Sequence, residues 1–164
     1  MSESLILPQT TDRKELYESL LPQIKSLVEG EKNFIANVSN ITAALKETFG
    51  FLWIGFYFTD TADELVLGPF QGPIACTRIR KGKGVCGTSW LKKQTIIVPD
   101  VEEFPGHIAC SSLSRSEIVI PLIDAEGNVS GVLDIDSANL HEFSEIDAHY
   151  LEQIALIIRE IQGE

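Results

Sequence analysis

Cys76, Cys86 and Cys110 are the only cysteines in the chain, and each falls in a segment that reads as a loop or an element end. A thiol does chemistry when water or substrate can reach it and its thiolate is stabilised, whereas a structural thiol is buried and inert. In the stretch PGHIACSSLSRSEIVIP, His107 stands three positions before Cys110 and Arg115 five after it. Positive or polarisable partners are therefore at hand to lower the pKa of Cys110, which is the candidate nucleophile.

Three plainer readings compete. Free cysteine is among the most buried residue types, so a packing role is the simplest. A zinc site could use Cys76, Cys86, His107 and Cys110, but structural zinc ligands come in tight pairs and the closest cysteines here are ten positions apart, 86 − 76. A permanent disulfide suits a secreted chain. The opening MSESLILPQTTDRKELY has no basic region followed by a long apolar run, so no signal peptide is expected. An odd cysteine count in a cytosol-like chain points to transient redox chemistry.

Along GVLDIDS, Asp134 and Asp136 are two apart and share one face of a strand, with Leu133 and Ile135 on the other. Two like charges on one face raise each other's pKa, an arrangement that suits a bound cation. Glu117 opens the strand expected to pair with this one and can bring a third carboxylate alongside. A solvated acidic face is the competing reading; if the group is a site, its ligand carries an ammonium or a divalent metal, and the nearby thiols favour the amino group.

Trp53, Gly55 and Tyr57 share a strand face, opposite Leu52, Ile54, Phe56 and Phe58. Two rings flanking a glycine leave a gap that can accept a methyl group, although strand aromatics are more often ordinary packing. The run Gly82 to Gly87 matches neither phosphate-loop pattern. As a glycine-rich loop opening a short helix, it gives Cys86 a helix N-terminal setting that favours thiolate, and freedom to move.

The elements that must position these residues are legible in outline. Asp12 and Glu15 form a capping pair before a helix carrying Leu16, Leu20, Ile24 and Leu27, which Pro22 should kink or break. A second helix runs from about Asn33 to Thr48 on a Phe34, Val38, Ile41, Leu45 stripe and is closed by Gly50. Strands are expected at Phe51 to Phe58, Leu65 to Leu67, Ile74 to Ile79, Thr95 to Val98, Glu117 to Ile123 and Val129 to Asp136. A hairpin turn joins the last two through Asp124 to Asn128, and a short helix lies between Gly82 and Gln94. Ser144 and Asp147 cap a final helix carrying Ile146, Tyr150, Ile154, Ile157, Ile158 and Ile161. The order predicts an α+β domain, an antiparallel sheet with helices packed on it.

At 164 residues and 44% hydrophobic content the chain fits one domain. Its 13 basic against 24 acidic side chains give a net charge of −11, which repels nucleic acid and anionic lipid alike. No apolar stretch approaches bilayer-spanning length.

LWIGFYF, GPFQGPIACTRIRKGKGVCGTSW, VPDVEEFPGHIACSSLSRSEIVIP and DIDSANLHEFSEID together resemble the free methionine-(R)-sulfoxide reductases, single-domain members of the GAF fold. The resemblance runs from about Asn33 to Ile158. It implies one GAF-type domain over residues 1–164, with an N-terminal extension at 1–12, a core over about 33–160 and a sheet of about six strands. It also implies a cytoplasmic, often homodimeric enzyme that reduces free L-methionine-(R)-S-oxide, repairs oxidised free methionine and is recycled by thioredoxin without a cofactor or metal. Cys110 matches the family's catalytic cysteine, and Cys76 and Cys86 the two that can resolve it. Glu117, Asp134 and Asp136 match its substrate-binding carboxylates, and Trp53 with Tyr57 its aromatic wall.

On that resemblance Cys76, at a strand end, is the first choice to resolve a Cys110 sulfenic acid, with Cys86 as alternative or relay. Glu117 is the expected proton donor. Two rival readings differ in class. A ligand-sensing GAF module without catalysis would need an effector domain, for which 164 residues leave no room, and it leaves the thiols unexplained. A thiol peroxidase or redox switch explains the thiols but not the carboxylates.

Overall fold

The computed structural model describes residues 4–163; the first three residues of the expected extension lie outside them. Two helices come first, α1 (Arg13–Val28) and α2 (Phe34–Phe49). The Asp12 carboxylate accepts from the Glu15 N–H, and Asn33 caps α2 through the Ala36 N–H. Pro22 neither ends nor splits α1, which continues to Val28; the expected break is not there. The buried line of α1 is Tyr17, Leu20, Ile24 and Val28, rotated from the expected stripe so that Leu16 and Leu27 are only partly covered.

Six strands follow: β1 (Trp53–Thr59), β2 (Glu64–Gln71), β3 (Arg78–Arg80), β4 (Ile96–Val98), β5 (Ser116–Ile123) and β6 (Val129–Ser137). They form one sheet in the order β3-β2-β1-β6-β5-β4, with every pairing antiparallel. The β5–β6 turn is held by Asp124, whose carboxylate accepts from the N–H groups of Glu126 and Asn128. Helix α3 (Gly84–Lys92) lies between β3 and β4, and α4 (Glu145–Gln162) ends the chain. The Ser144 N–H donates to Asp147 and its hydroxyl accepts from the Ile146 N–H, closing a capping box.

Strand alternation divides the molecule into two cores. Ile54, Phe56, Ile118, Ile120, Leu133 and Ile135 pack with the buried faces of α1, α2 and α4. Each such side chain, fully covered, contributes about 1.5–3 kcal/mol. The opposite sheet face gathers Trp53, Tyr57, Leu65, Val119 and Val132 with Val85, Cys86 and Trp90 of α3. That second layer is thinner, because only one short helix covers it, and it is where a pocket can open.

One expected strand is mostly absent. Of Ile74 to Ile79, only Arg78 and Ile79 fall in β3, which runs on to Arg80, and Ile74 is 90% exposed. Pro73 has no N–H to give a ladder, and the segment before β3 instead forms a loop carrying Cys76. Strand β2, by contrast, extends well past the expected Leu67, to Gln71.

Candidate active site

The register of three strands builds the floor of the pocket. Trp53 of β1 faces Asp136 of β6, which faces Glu117 of β5; one step along, Gly55 faces Asp134, which faces Val119. Period-two alternation puts Trp53, Tyr57, Glu117, Asp134 and Asp136 on the face that α3 covers. All five line one cavity of about 40 Å³, together with Cys86, His107, Cys110 and Ser114.

The acidic group is not a solvated face. Glu117 and Asp134 are each only 6% exposed, and Asp134 Oδ1 is buried without a hydrogen-bond partner. Burial raises all three carboxyl pKa values. Glu117 is pushed well up by burial and then by the charge of Asp136, and Asp134 by burial and then by Glu117 and Asp136. Asp136 rises to about 6 through burial, held back by a hydrogen bond from the Ser114 hydroxyl and by His107. His107 Nε2 lies 3.7 Å from Glu117 Oε2.

Cys76 and Cys110 form a disulfide, with their Cα atoms 5.4 Å apart. Both are partly exposed, and Cys110 lines the cavity. Cys76 is in the loop ahead of β3 rather than on a strand end, and that loop is tied to the floor. The Tyr57 hydroxyl donates to the Cys76 carbonyl at 3.0 Å, and Trp53 Nε1 donates to the Pro73 carbonyl at 3.1 Å. Arg115 is exposed, and its side chain pairs with no carboxylate among the described residues. Its role is in the backbone, where its N–H donates to Ser137 and its carbonyl accepts from Val101.

Cys86 departs most from expectation. Its helix N-terminal setting is as expected, in the first turn of α3, but it is 3% exposed rather than reachable, and it stands outside the disulfide. Gly87 explains the seating, because a Cβ there would come within 2.3 Å of the Arg80 carbonyl, so glycine lets α3 lie directly on the β3 connection. The net shift at Cys86 runs opposite to the expected one. Burial, with Asp134 and Glu117 next in weight, drives it well above the ordinary thiol value.

The gap expected over Gly55 is also filled. A Cβ there would meet Phe70 Cβ at 2.4 Å and the Trp53 ring at 2.6 Å. Glycine is needed at this position so that Trp53 can stack on Phe70, with centroids 5.4 Å apart. Trp53 and Tyr57 themselves stack at 5.9 Å, forming a continuous wall rather than two jaws.

A GAF domain family matches residues 37–160. The free methionine-R-sulfoxide reductase of Saccharomyces cerevisiae is 42% identical, over 90% of this chain and 86% of its own. The chain belongs to the free methionine-R-sulfoxide reductase family. GAF domain-containing protein A of Dictyostelium discoideum is 62% identical, over 96% of this chain and 99% of that protein. The free methionine-R-sulfoxide reductase from Neisseria meningitidis, solved in complex with its substrate, superposes with a TM-score of 0.92 at 52% identity, covering 96% of this chain and 95% of that one.

For this member of the reductase family, sequence reasoning missed two contributors to the pocket. Ser114 donates to Asp136, and Phe70 backs Trp53. A serine in the run CSSLSRS carries no signal of its own, and Phe70 lay beyond the expected end of β2. His107 was singled out for Cys110, yet the group it faces is Glu117.

Proposed function

We propose that this protein reduces free methionine-R-sulfoxide to methionine, with Cys110 as nucleophile and Cys76 as the thiol that resolves it. The observation that carries the reading is the Cys76–Cys110 disulfide, whose Cys110 lines a pocket that also holds three carboxyls, two of them buried, and two stacked aromatic rings. A disulfide is the end state of sulfoxide reduction by two thiols. A free amino acid offers a matching ligand, since its ammonium suits the Glu117, Asp134 and Asp136 group and its S-methyl suits the Trp53 and Tyr57 wall. The unpartnered Asp134 oxygen supports the presence of a donor ligand there.

In this mechanism the Cys110 thiolate attacks the sulfoxide sulfur. Glu117, with its pKa raised by burial and Asp136, gives a proton to the departing oxygen. The oxygen passes from the sulfoxide sulfur to the Cys110 sulfur as the transient sulfur–sulfur bond breaks, so methionine leaves with the electron pair that the thiol lost and Cys110 is left as sulfenic acid. The Cys76 thiol displaces that oxygen as water and closes the disulfide. Thioredoxin then reopens it by dithiol exchange, which the partial exposure of both sulfur residues permits. The electrons pass through thiols throughout, and no cofactor takes part.

Supplying each methionine sulfoxide diastereomer, free in solution, with dithiothreitol tests the reading. Methionine should form from the R-sulfoxide of the free amino acid. Binding of that compound without methionine release would leave a ligand-sensing module instead.

A further inference from the structure

We propose that Cys86, Glu117 and Asp134 form a binding site for a thiophilic divalent cation, zinc above all, which excludes substrate from the pocket and inhibits the enzyme. The Cys86 sulfur and one oxygen from each carboxylate lie within 4.8 Å of one another, and all three residues are buried. In a tetrahedral zinc site with Zn–S of about 2.3 Å and Zn–O of about 2.0–2.2 Å, ligand atoms stand roughly 3.3–3.7 Å apart. The three groups therefore need to draw in by only about 1 Å.

A second observation points to a missing partner. Asp134 Oδ1 is buried with nothing donating to it, on a residue 6% exposed. Such an orphaned oxygen is destabilising until a donor or a cation reaches it. His107 lines the same cavity, 3.7 Å from Glu117, and lies outside the three-residue group. The mixed sulfur and oxygen set selects the metal class. Magnesium and calcium prefer all-oxygen shells, whereas a thiolate favours zinc and its softer relatives.

Binding changes no oxidation state. The cation displaces into solvent the proton of the Cys86 thiol and those held by the Glu117 and Asp134 carboxyls, forms one metal–sulfur and two metal–oxygen bonds, and leaves the Cys76–Cys110 disulfide untouched. The inhibition, though not the binding, rests on the proposed function, because the cation would occupy the place of the substrate ammonium. Cys86 is the buried thiol of the pocket and stands outside the Cys76–Cys110 pair, and this role accounts for a soft ligand beside two acids.

The oxidised protein gives a clean test, because the disulfide leaves Cys86 as the only free thiol. Cobalt(II), a spectroscopic stand-in for zinc, should bind at one equivalent with a thiolate-to-metal charge-transfer band, and zinc should bleach that band. Cys86→Ser should abolish it. Asp134→Asn keeps the thiol and the side-chain volume, and should weaken cobalt binding at least about tenfold, by analogy with lost ligand-shell groups. No band in the oxidised protein, a band surviving in Cys86→Ser, or unchanged affinity in Asp134→Asn would each overturn the site. These readouts contain no substrate, so they stand apart from the functional reading. Adding free methionine-R-sulfoxide to the cobalt-loaded protein should then displace the ion, and simultaneous binding of both would overturn the inhibition.

Discussion

The Tyr57 hydroxyl donates a 3.0 Å hydrogen bond to the Cys76 carbonyl, so the aromatic wall of the pocket and one half of its disulfide are mechanically joined. Trp53 reinforces the link through Pro73. The two residues proposed to clasp the substrate methyl thus also hold the loop that must deliver the resolving thiol. Tyr57→Phe keeps the ring and removes only the tie. Loss of one neutral hydrogen bond, about 0.5–1.5 kcal/mol, should slow disulfide formation by roughly two- to tenfold. In a single turnover, methionine release should stay near normal while closure of the disulfide lags; equal slowing of both steps would assign the hydroxyl to substrate binding instead.

Cys110→Ser should abolish turnover with the fold intact, because serine offers no thiolate near neutral pH. Cys76→Ser should release about one methionine per subunit and then stall with thioredoxin, as a sulfenate forms without a resolver. Cys86→Ser retains the Cys76–Cys110 pair, so its loss of recycling should be the smaller. Quantifying methionine per subunit, with and without thioredoxin, separates the three variants. A stall in Cys86→Ser with normal recycling in Cys76→Ser would reverse the assignment of resolver.

The buried carboxyls make ligand-free stability depend on pH in a direction opposite to ordinary surface acids. Glu117, Asp134 and Asp136 all titrate higher in the folded chain than when free, Asp136 at about 6. Below the unfolded value of 3.8 for an aspartate, both states are protonated and burial of the neutral group is tolerated. As pH rises through 6 the unfolded state has fewer protons bound, so this contribution to stability is lost. Asp136→Asn keeps the acceptor for Ser114 and removes one charge. It should raise the melting temperature at pH 8, by an amount on the order of 3 kcal/mol in stability, and the gain should shrink towards pH 4. A gain independent of pH, or a loss at pH 8, would show that Asp136 is stabilised as an anion.

Where local pattern and tertiary packing agreed, the sequence was readable. The Ser144 and Asp147 cap, the Asn33 to Gly50 helix and the β5–β6 hairpin depend on neighbours a few residues away, and the hairpin register then brought Glu117 against Asp136. The division of β1 into an Ile54 and Phe56 face and a Trp53 and Tyr57 face followed from alternation alone. What escaped was set by long-range contact. Cys86 looked like a loop residue because glycines surround it, but Gly82 and Gly87 serve a helix pressed onto the β3 connection. The burial of the acids, and with it the choice between a solvated face and a site, depended on α3 and the His107 loop closing over them. The pairing of Cys76 with Cys110 across 34 residues left no mark in local spacing.

Selectivity for the free amino acid is the sharpest test of the acidic group. Acetylating the substrate amine removes its positive charge and adds bulk where three carboxyls converge, two of them only 6% exposed. The carboxyl group then faces a bulky neutral amide in place of the ammonium, a loss of a few kcal/mol by the usual cost of breaking a buried charge pair, or about a hundredfold or more in catalytic efficiency. N-acetylmethionine-R-sulfoxide should therefore be a very poor substrate for the wild-type protein. Asp134→Asn should weaken use of the free amino acid and narrow the ratio between the two substrates, because it removes part of what distinguishes them. Measuring kcat/KM for both compounds on both proteins decides the matter: equal values on the wild type would place the ammonium outside the carboxyl group and assign the selectivity to another part of the pocket.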